Sequence, residues 1–163
     1  MDTIKVLKKS IRDYKLPSIL TPIFIIGEVV LETLIPTVMA VLIDEISKSI
    51  SMDPIIKYGL ILLAMALASL LCGFIAGKFA ATASCGYARN LRHDIYYKIQ
   101  DFSFAEIDRF STSSLVTRLT TDVTNVQNAY QMIIRIAIRT PLMLIFAFVF
   151  SFRINWRIAI IFL

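Results

Sequence analysis

Hydrophobic and polar positions divide this chain into long apolar runs separated by short polar stretches. The clearest run, from Tyr58 to Gly77, contains no charged residue and no proline. Because a helix rises about 1.5 Å per residue, such a run can cross the roughly 30 Å hydrocarbon core of a bilayer. An earlier apolar run, from Leu16 to Ile43, is longer and contains prolines, which indicates a tilted or kinked helix. The pattern predicts membrane spans at about residues 16–43 and 55–83.

A third apolar run, nearer the end of the sequence, is shorter. It is free of charge only from Thr140 to Phe152, so it crosses a bilayer only if Arg139 lies at or inside the inner boundary. We expect this span at about residues 136–153, followed by a tight turn and a fourth span that begins at about residue 156. The sequence stops inside that fourth run, so we expect a fragment of a longer protein.

Between the second and third spans the apolar positions follow the period of amphipathic helices. Charged residues occupy the other faces of both helices. The two apolar stripes are Leu91, Ile95, Ile99 and Phe102, and then Leu115, Leu119, Val123, Val126, Tyr130 and Ile133. We therefore predict one helix from about residue 55 to residue 101, and a second that returns toward the membrane. Together they would form a cytoplasmic helical hairpin at about residues 84–135.

Composition and charge agree with an integral membrane protein. The chain is 57% hydrophobic, with a mean hydropathy of +0.73, and a soluble fold of this size could not bury so much apolar surface. Its net charge is +5, and its basic residues include five before the first span and seven between Arg89 and Arg139. This distribution places the N-terminus in the cytoplasm. It also suggests a surface helix at residues 1–15 and excludes nucleic acid as the expected partner.

Few residues suggest chemistry at a metal or nucleotide site. Cys72, Cys85 and His93 lack the spacing of a metal site, and a disulfide is not expected in the cytoplasm. The stretch from Gly73 to Lys78 superficially resembles a phosphate-binding loop. It has one residue too few between its glycines and lies within a span. No catalytic residue and no ATP site are therefore predicted in this chain.

The stretch from Phe110 to Gln127 resembles the first intracellular loop of ATP-binding cassette (ABC) exporters. That family's pattern reads roughly F-x-x-G-x-L-x-S-R-L-x-x-D-V. The positions in this chain that we align with its motif are Ser113, Leu115, Arg118, Leu119, Asp122 and Val123. Ser113 stands where many members have glycine, and the variant is most similar to subunits of heterodimeric multidrug-type exporters. The resemblance covers essentially the whole chain.

The resemblance implies an all-α membrane helix bundle, of which residues 16–163 would supply helices 1–3 and the start of helix 4. It implies a second subunit, identical or different, and nucleotide-binding domains, absent here, that would hold ATP and Mg²⁺. No cofactor is expected in this chain itself. The tip of the hairpin would be a coupling helix that rests on those domains. Its predicted contact residues are Phe104, Glu106, Ile107, Asp108, Arg109 and Phe110.

Two acidic residues inside the first span, Glu28 and Glu32, lie one helical turn apart. Charges at such positions usually face a cavity or a partner. They could line a substrate cavity and favour cations. Alternatively they form a structural pair, satisfied by a neighbouring Arg139 or by protonation. Arg139 and Arg135, also one turn apart, could bind phospholipid head groups or contact an anionic substrate.

Gly73 and Gly77 form a G-x-x-x-G pattern in the second span, which allows close helix packing. We favour packing within the chain over a dimer seam.

Two functions are consistent with these features. The first is the membrane part of an exporter that moves amphiphilic, drug-like or lipid-like compounds out across the cell membrane. The second is a membrane scaffold or sensor that signals through the cytoplasmic hairpin. The sequence that follows Leu163 in the gene would discriminate between them.

Overall fold

A computed structural model describes residues 10–48, 52–103, 107 and 110–154. These residues are almost entirely helical and contain no strand. The elements are a 3₁₀ turn at Arg12–Tyr14, α1 at Lys15–Lys48, α2 at Met52–Gln100, α3 at Thr112–Thr117, a π-helical turn at Arg118–Asp122 and α4 at Val123–Ile154. The predicted all-α class is confirmed for the part of the chain that the structure describes.

Three helical stretches are long and apolar enough to cross a membrane. They are Arg12–Lys48, Met52–Gln100 and Ser113–Phe152. The third includes Arg139, so the charge that made this span doubtful does not interrupt the helix. The predicted start of a fourth span and the tight turn before it lie outside the described residues.

The long second helix is confirmed as one uninterrupted element from Met52 to Gln100. Its apolar first part lacks internal proline, and its second part carries the stripe that begins at Leu91. Leu91 is buried and Ile95 and Ile99 are half-buried, whereas Arg92 on a neighbouring face is exposed. α2 therefore changes from an apolar helix to an amphipathic helix without a break in the backbone.

The polar stretch at residues 44–54, between the first two predicted spans, is helical at both ends. α1 continues to Lys48, and α2 begins at Met52. α1 can continue into this polar stretch because its backbone hydrogen bonds form in water as well as in lipid, and because Glu45 and Lys48 are good helix formers. Pro54 lies in the first turn of α2, where a missing N–H costs little.

One position in the predicted apolar stripe of the third helical region is wrong. Ile133 is 61% exposed, whereas Ile134 is only 9% exposed and packs with Ala80 and Ala83. Eleven residues make just over three whole turns of an α-helix, so Ile134 rather than Ile133 shares a face with Val123. The remaining stripe residues from Leu115 to Tyr130 are buried or partly buried.

The chain divides into two compact units. Unit 1 consists of Met1–Thr21 and Lys78–Arg135, and unit 2 of Pro22–Gly77 and Ile136–Leu163. The core of unit 1 centres on Tyr87, Ala88, Leu91 and Val123. The core of unit 2 centres on Ile25, Val29 and Ala76, with Ile138, Leu142 and Phe146 packed against them.

Candidate functional site

In unit 2, α1 and α4 bring three charged side chains together. Arg139 donates from Nη1 to Glu28 Oε1 at 2.8 Å. Its Nη2 donates to both carboxylate oxygens of Glu32, at 3.0 and 2.9 Å. Two carboxylates share one guanidinium, so the ionised triad carries a formal charge of −1. This arrangement accounts for an arginine within an apolar helix, because charges at membrane depth are stabilised by partners.

The two carboxylates have different surroundings. The Glu28 side chain is 12% exposed, and a Cβ atom added to Gly73 on α2 would lie 3.0 Å from Glu28 Oε1. Gly73 therefore leaves the space that the Glu28 carboxylate occupies. The Glu32 side chain is 31% exposed and is the more accessible member of the pair. An added Cβ at Gly77, by contrast, meets no atom of the described residues within 4 Å.

A cavity of about 550 Å³ lies beside the triad, between α1 and α4. Its lining is mostly apolar, and Glu32 is the only charged residue among the described residues that line it. The lining residues are Glu32, Thr33, Pro36, Thr37, Ala40, Met143, Ala147 and Phe150. An apolar cavity with one carboxylate at its wall can accept an amphiphile, and the negative charge favours a cationic group there.

In unit 1, the predicted coupling residues are only partly accounted for. Phe104, Glu106, Asp108 and Arg109 lie outside the described residues. Ile107 is half-buried, and the Phe110 ring stacks on Phe102 with 5.8 Å between ring centroids. The Arg118 guanidinium lies over the Phe110 ring, 5.4 Å from its centroid. This cation–π contact links the end of the hairpin tip to the intracellular-loop motif.

The motif residues lie where α3 changes into the π-helical turn. Ser113 Oγ is 3.3 Å from Ser111 Oγ, Leu115 is buried and Leu119 is half-buried. Arg118 and Asp122 are spaced i, i+4, but no ion pair joins them in the described part of the chain. The π turn closes with i→i+5 bonds and so alters the register that would bring i and i+4 together.

Arg118 and Asp122 instead face a shallow cavity of about 340 Å³. Its other walls are the apolar side chains of Leu91, Ile95, Val123 and Val126.

A second polar cluster in unit 1 was not predicted from the sequence. Residues 10–18, here called the N-terminal strap, contact one face of α2. Ser10 donates from Oγ to Asp94 Oδ2 at 2.9 Å, and Arg12 Nη2 donates to Asp94 Oδ1 at 2.6 Å. Asn90 Nδ2 donates to the Ser10 carbonyl at 2.9 Å. The available signal was the spacing of Gly86, Asn90 and Asp94, one turn apart on a single helical face.

The strap continues toward the N-terminal part of α2 and reaches α4. The Tyr14 ring occupies the space next to Gly86, where any added Cβ would overlap it. Ser18 Oγ lies 2.7 Å from Tyr130 Oη, and the Tyr130 ring stacks on Tyr87 with 4.6 Å between centroids. The first described residues are thus fastened to the hairpin by hydrogen bonds, an ion pair and ring packing.

Comparison with known proteins supports one family. The model of the ABC transporter transmembrane region matches residues 18–163. The chain is 30% identical, over 91% of its length, to an uncharacterised ABC transporter ATP-binding protein of Bacillus subtilis, of which it covers 26%. It is 29% identical to an ATP-dependent lipid A-core flippase of Aromatoleum aromaticum, over 55% of this chain and 15% of the flippase. The chain thus spans about a quarter or less of the length of these relatives.

Proposed function

The chain belongs to the family of ABC transporter transmembrane regions, and we propose that it forms part of the membrane domain of an ATP-driven exporter. Its three long apolar helices make it a membrane protein. The observation that carries the transport proposal is the charge triad beside an apolar cavity in unit 2. A span that only crosses the membrane seldom carries three ionisable side chains at one place, because charges in lipid are costly and are typical of substrate pathways.

The proposed substrates are amphiphilic, drug-like or lipid-like compounds that move out of the cytoplasm by alternating access. The cavity offers apolar walls for a hydrophobic body, and Glu32 offers a charge for a head group. Because the triad has one carboxylate in excess of Arg139, cations are the preferred head groups. The flippases among the relatives act on lipid A-core, so a lipid-like body is also consistent with this family.

The energy for transport would come from nucleotide-binding domains that hold ATP and Mg²⁺. The tip of the hairpin, at about residues 103–110, would rest on those domains and relay their closure to the spans. Phe110 is suited to this role because it is exposed and held by Phe102 and Arg118. A second transporter subunit, identical or different, would complete the pathway. The N-terminus would lie in the cytoplasm of the cell.

The direct experiment uses the full-length protein with its partner subunit, if it has one, reconstituted in liposomes. We expect accumulation of a fluorescent amphiphile in the lumen when ATP and Mg²⁺ are supplied outside, and none with a non-hydrolysable ATP analogue. A full-length protein without ATP-dependent transport of any amphiphile would contradict the exporter proposal. If the hairpin still bound a cytoplasmic partner, that result would favour the scaffold or sensor alternative.

Substitution of the acidic pair tests the substrate preference within the same assay. Glu32→Gln and Glu28→Gln each remove the surplus negative charge of the triad. A desolvated charge contact contributes about 1.5–3 kcal/mol, so we expect the apparent affinity for a lipophilic cation to fall roughly tenfold or more. Transport of an uncharged analogue of the same shape should persist.

Glu45→Gln is the matched control, because Glu45 lies on α1 near its C-terminal end and outside the cavity lining. Equal losses for the cation and the neutral analogue would show that the pair serves structure rather than charge selection.

A further inference from the structure

The N-terminal strap joins the first described residues to the hairpin through buried, specific contacts. Ser10 is 1% exposed, and its hydroxyl and carbonyl are both hydrogen-bonded to α2. Ile11 packs against the buried cluster that includes Tyr87, Leu91 and Val123. A loosely adsorbed surface helix would not bury a polar residue or match hydrogen bonds to successive turns of a helix.

The strap contacts α2 at regular intervals. Asp94, Asn90 and Gly86 follow one another at i, i−4 and i−8. Asp94 binds the side chains of Ser10 and Arg12, Asn90 donates to the Ser10 carbonyl, and Gly86 lies against the Tyr14 ring. This sequence of contacts means that the strap runs along α2 for more than two turns. The compact unit that contains the hairpin also contains the strap and the start of α1 as far as Thr21.

Asp94 holds the far end of the strap. Its two carboxylate oxygens accept from two different strap residues, Ser10 and Arg12. His93 Nδ1 lies 3.7 Å from Asp94 Oδ1 on the same helix. Arg12 reaches Asp94 with a backbone φ of 38°, in the left-handed region that non-glycine residues rarely adopt. An unfavourable backbone conformation persists only where surrounding contacts stabilise it, and here the Asp94 ion pair is such a contact.

We propose that the strap makes the start of α1 and the hairpin move as one body, and that Asp94 is the positioning residue that keeps them joined. This inference rests on the proposed exporter function, in which the hairpin relays motion from the nucleotide-binding domains. If the strap is fixed, motion of the hairpin reaches α1 directly as well as through α2 and α4. If the strap is detached, ATP hydrolysis continues, but less of the hairpin's motion reaches α1.

The test measures transported substrate per ATP hydrolysed by the full-length transporter in liposomes. Partly exposed ion pairs shift an equilibrium by up to about fivefold, so Asp94→Asn and Arg12→Gln should each lower this ratio roughly two- to fivefold. Their double variant should lose little more than either alone, because both remove one contact. The basal ATPase rate should remain within about twofold of the wild-type rate, since neither substitution alters a residue of the proposed hairpin tip. Asp13→Asn, the same chemical change at the exposed neighbouring residue, should leave the ratio unchanged.

A charge exchange separates positioning from general damage. Arg12→Asp combined with Asp94→Arg restores the opposite charges and should recover most of the lost coupling ratio. An unchanged ratio in Asp94→Asn and Arg12→Gln would overturn the proposal. So would a charge exchange that folds normally but fails to improve on the single variants. Absence of transport in the wild-type protein would instead refute the exporter function itself.

A cross-link gives a second and independent measurement. Ser10→Cys and Asp94→Cys, introduced together with Cys72→Ala and Cys85→Ser, can be joined by a short thiol-specific reagent. The uncross-linked variant lacks the Asp94 carboxylate and should show the lowered coupling ratio of Asp94→Asn, whereas the cross-linked transporter should regain the ratio of the protein that carries only Cys72→Ala and Cys85→Ser, because the strap stays closed throughout the cycle. A cross-link that stops transport would show that the strap must open, and would overturn the proposal.

Discussion

At the scale of single residues, two glycines of α2 have opposite surroundings. Gly86 faces the Tyr14 ring without room for another atom, whereas Gly77 faces open space among the described residues. The sequence singled out Gly77, because it completes a G-x-x-x-G pattern, and passed over Gly86. The difference depends on which helix face the strap covers, and spacing within α2 alone does not reveal that.

This difference predicts opposite effects of one substitution. Gly86→Ala places a Cβ inside the Tyr14 ring, and overpacking of this kind costs about 1–3 kcal/mol of stability. Gly77→Ala adds a methyl group without a collision, and alanine is favoured over glycine in helices by up to about 1 kcal/mol. Thermal unfolding of the purified full-length protein should therefore show a lower midpoint for the first variant and an equal or higher midpoint for the second.

Limited proteolysis near Arg12 provides the control, because a displaced Tyr14 should expose the strap to trypsin only in Gly86→Ala. Equal midpoints and equal cleavage rates for the two alanine variants would contradict the assigned packing.

The charge triad was predicted only in part from the sequence. The turn-by-turn spacing of Glu28 and Glu32 indicated one helical face, and Arg139 was named as a possible partner from a neighbouring helix. The structure brings the three together and adds Gly73, which leaves space for Glu28. The sequence could not distinguish the roles of the two carboxylates, because their exposure is set by α2 and by the cavity rather than by α1.

At the scale of elements, the long helices could be predicted and the π-helical turn could not. Length and hydropathy determine that α2 is one helix, whereas the π turn at Arg118–Asp122 depends on local hydrogen bonding. Threonine hydroxyls around the turn bond to carbonyls one turn earlier, as Thr120 does to Val116 at 2.8 Å and Thr124 to Thr120 at 2.9 Å. Such bonds compete with the regular backbone ladder and can bend or loosen a helix.

The π turn predicts an asymmetric response to deletion of one residue. A π turn holds about one residue more than an α turn, so removal of Thr121 converts this segment into regular α-helix and keeps the contacts on both sides. Removal of Asn125 from the regular part of α4 instead rotates the preceding residues by about 100° relative to the remainder of α4. We expect the Thr121 deletion to fold with a midpoint near the wild-type value, whereas the Asn125 deletion should be strongly destabilised.

Both deletions can be compared by thermal unfolding and by the yield of folded full-length protein. Equal damage from the two deletions would show that the π turn is required for folding and is not a tolerated extra residue.

At the scale of the whole molecule, the family and the membrane location rest on features that extend along most of the chain. The family model covers residues 18–163, and each of three helical stretches is apolar over the length of a span. These features do not depend on where each helix ends, such as the continuation of α1 to Lys48. Orientation is a different kind of property, because it depends on the few basic residues that flank the spans.

The two native cysteines make orientation directly testable. Cys85 is exposed on α2 beyond the predicted span at residues 55–83, with Gln127 Nε2 donating to its sulfur at 3.4 Å. Cys72 lies inside that span and is half-buried. If the N-terminus is cytoplasmic, one crossing by α1 and one by α2 return the chain to the cytoplasm before Cys85. A membrane-impermeant maleimide should therefore label Cys85 in inside-out vesicles but not in intact cells, and it should label Cys72 in neither.

Ser47→Cys in a Cys85→Ser background should show the reverse pattern, because the exposed Ser47 lies near the other end of α1. Labelling of Cys85 from outside the cell would reverse the orientation, and the hairpin could then not reach cytoplasmic nucleotide-binding domains. Coupling through the hairpin tip and the role of the strap both require the cytoplasmic result, so this measurement should precede the transport assays.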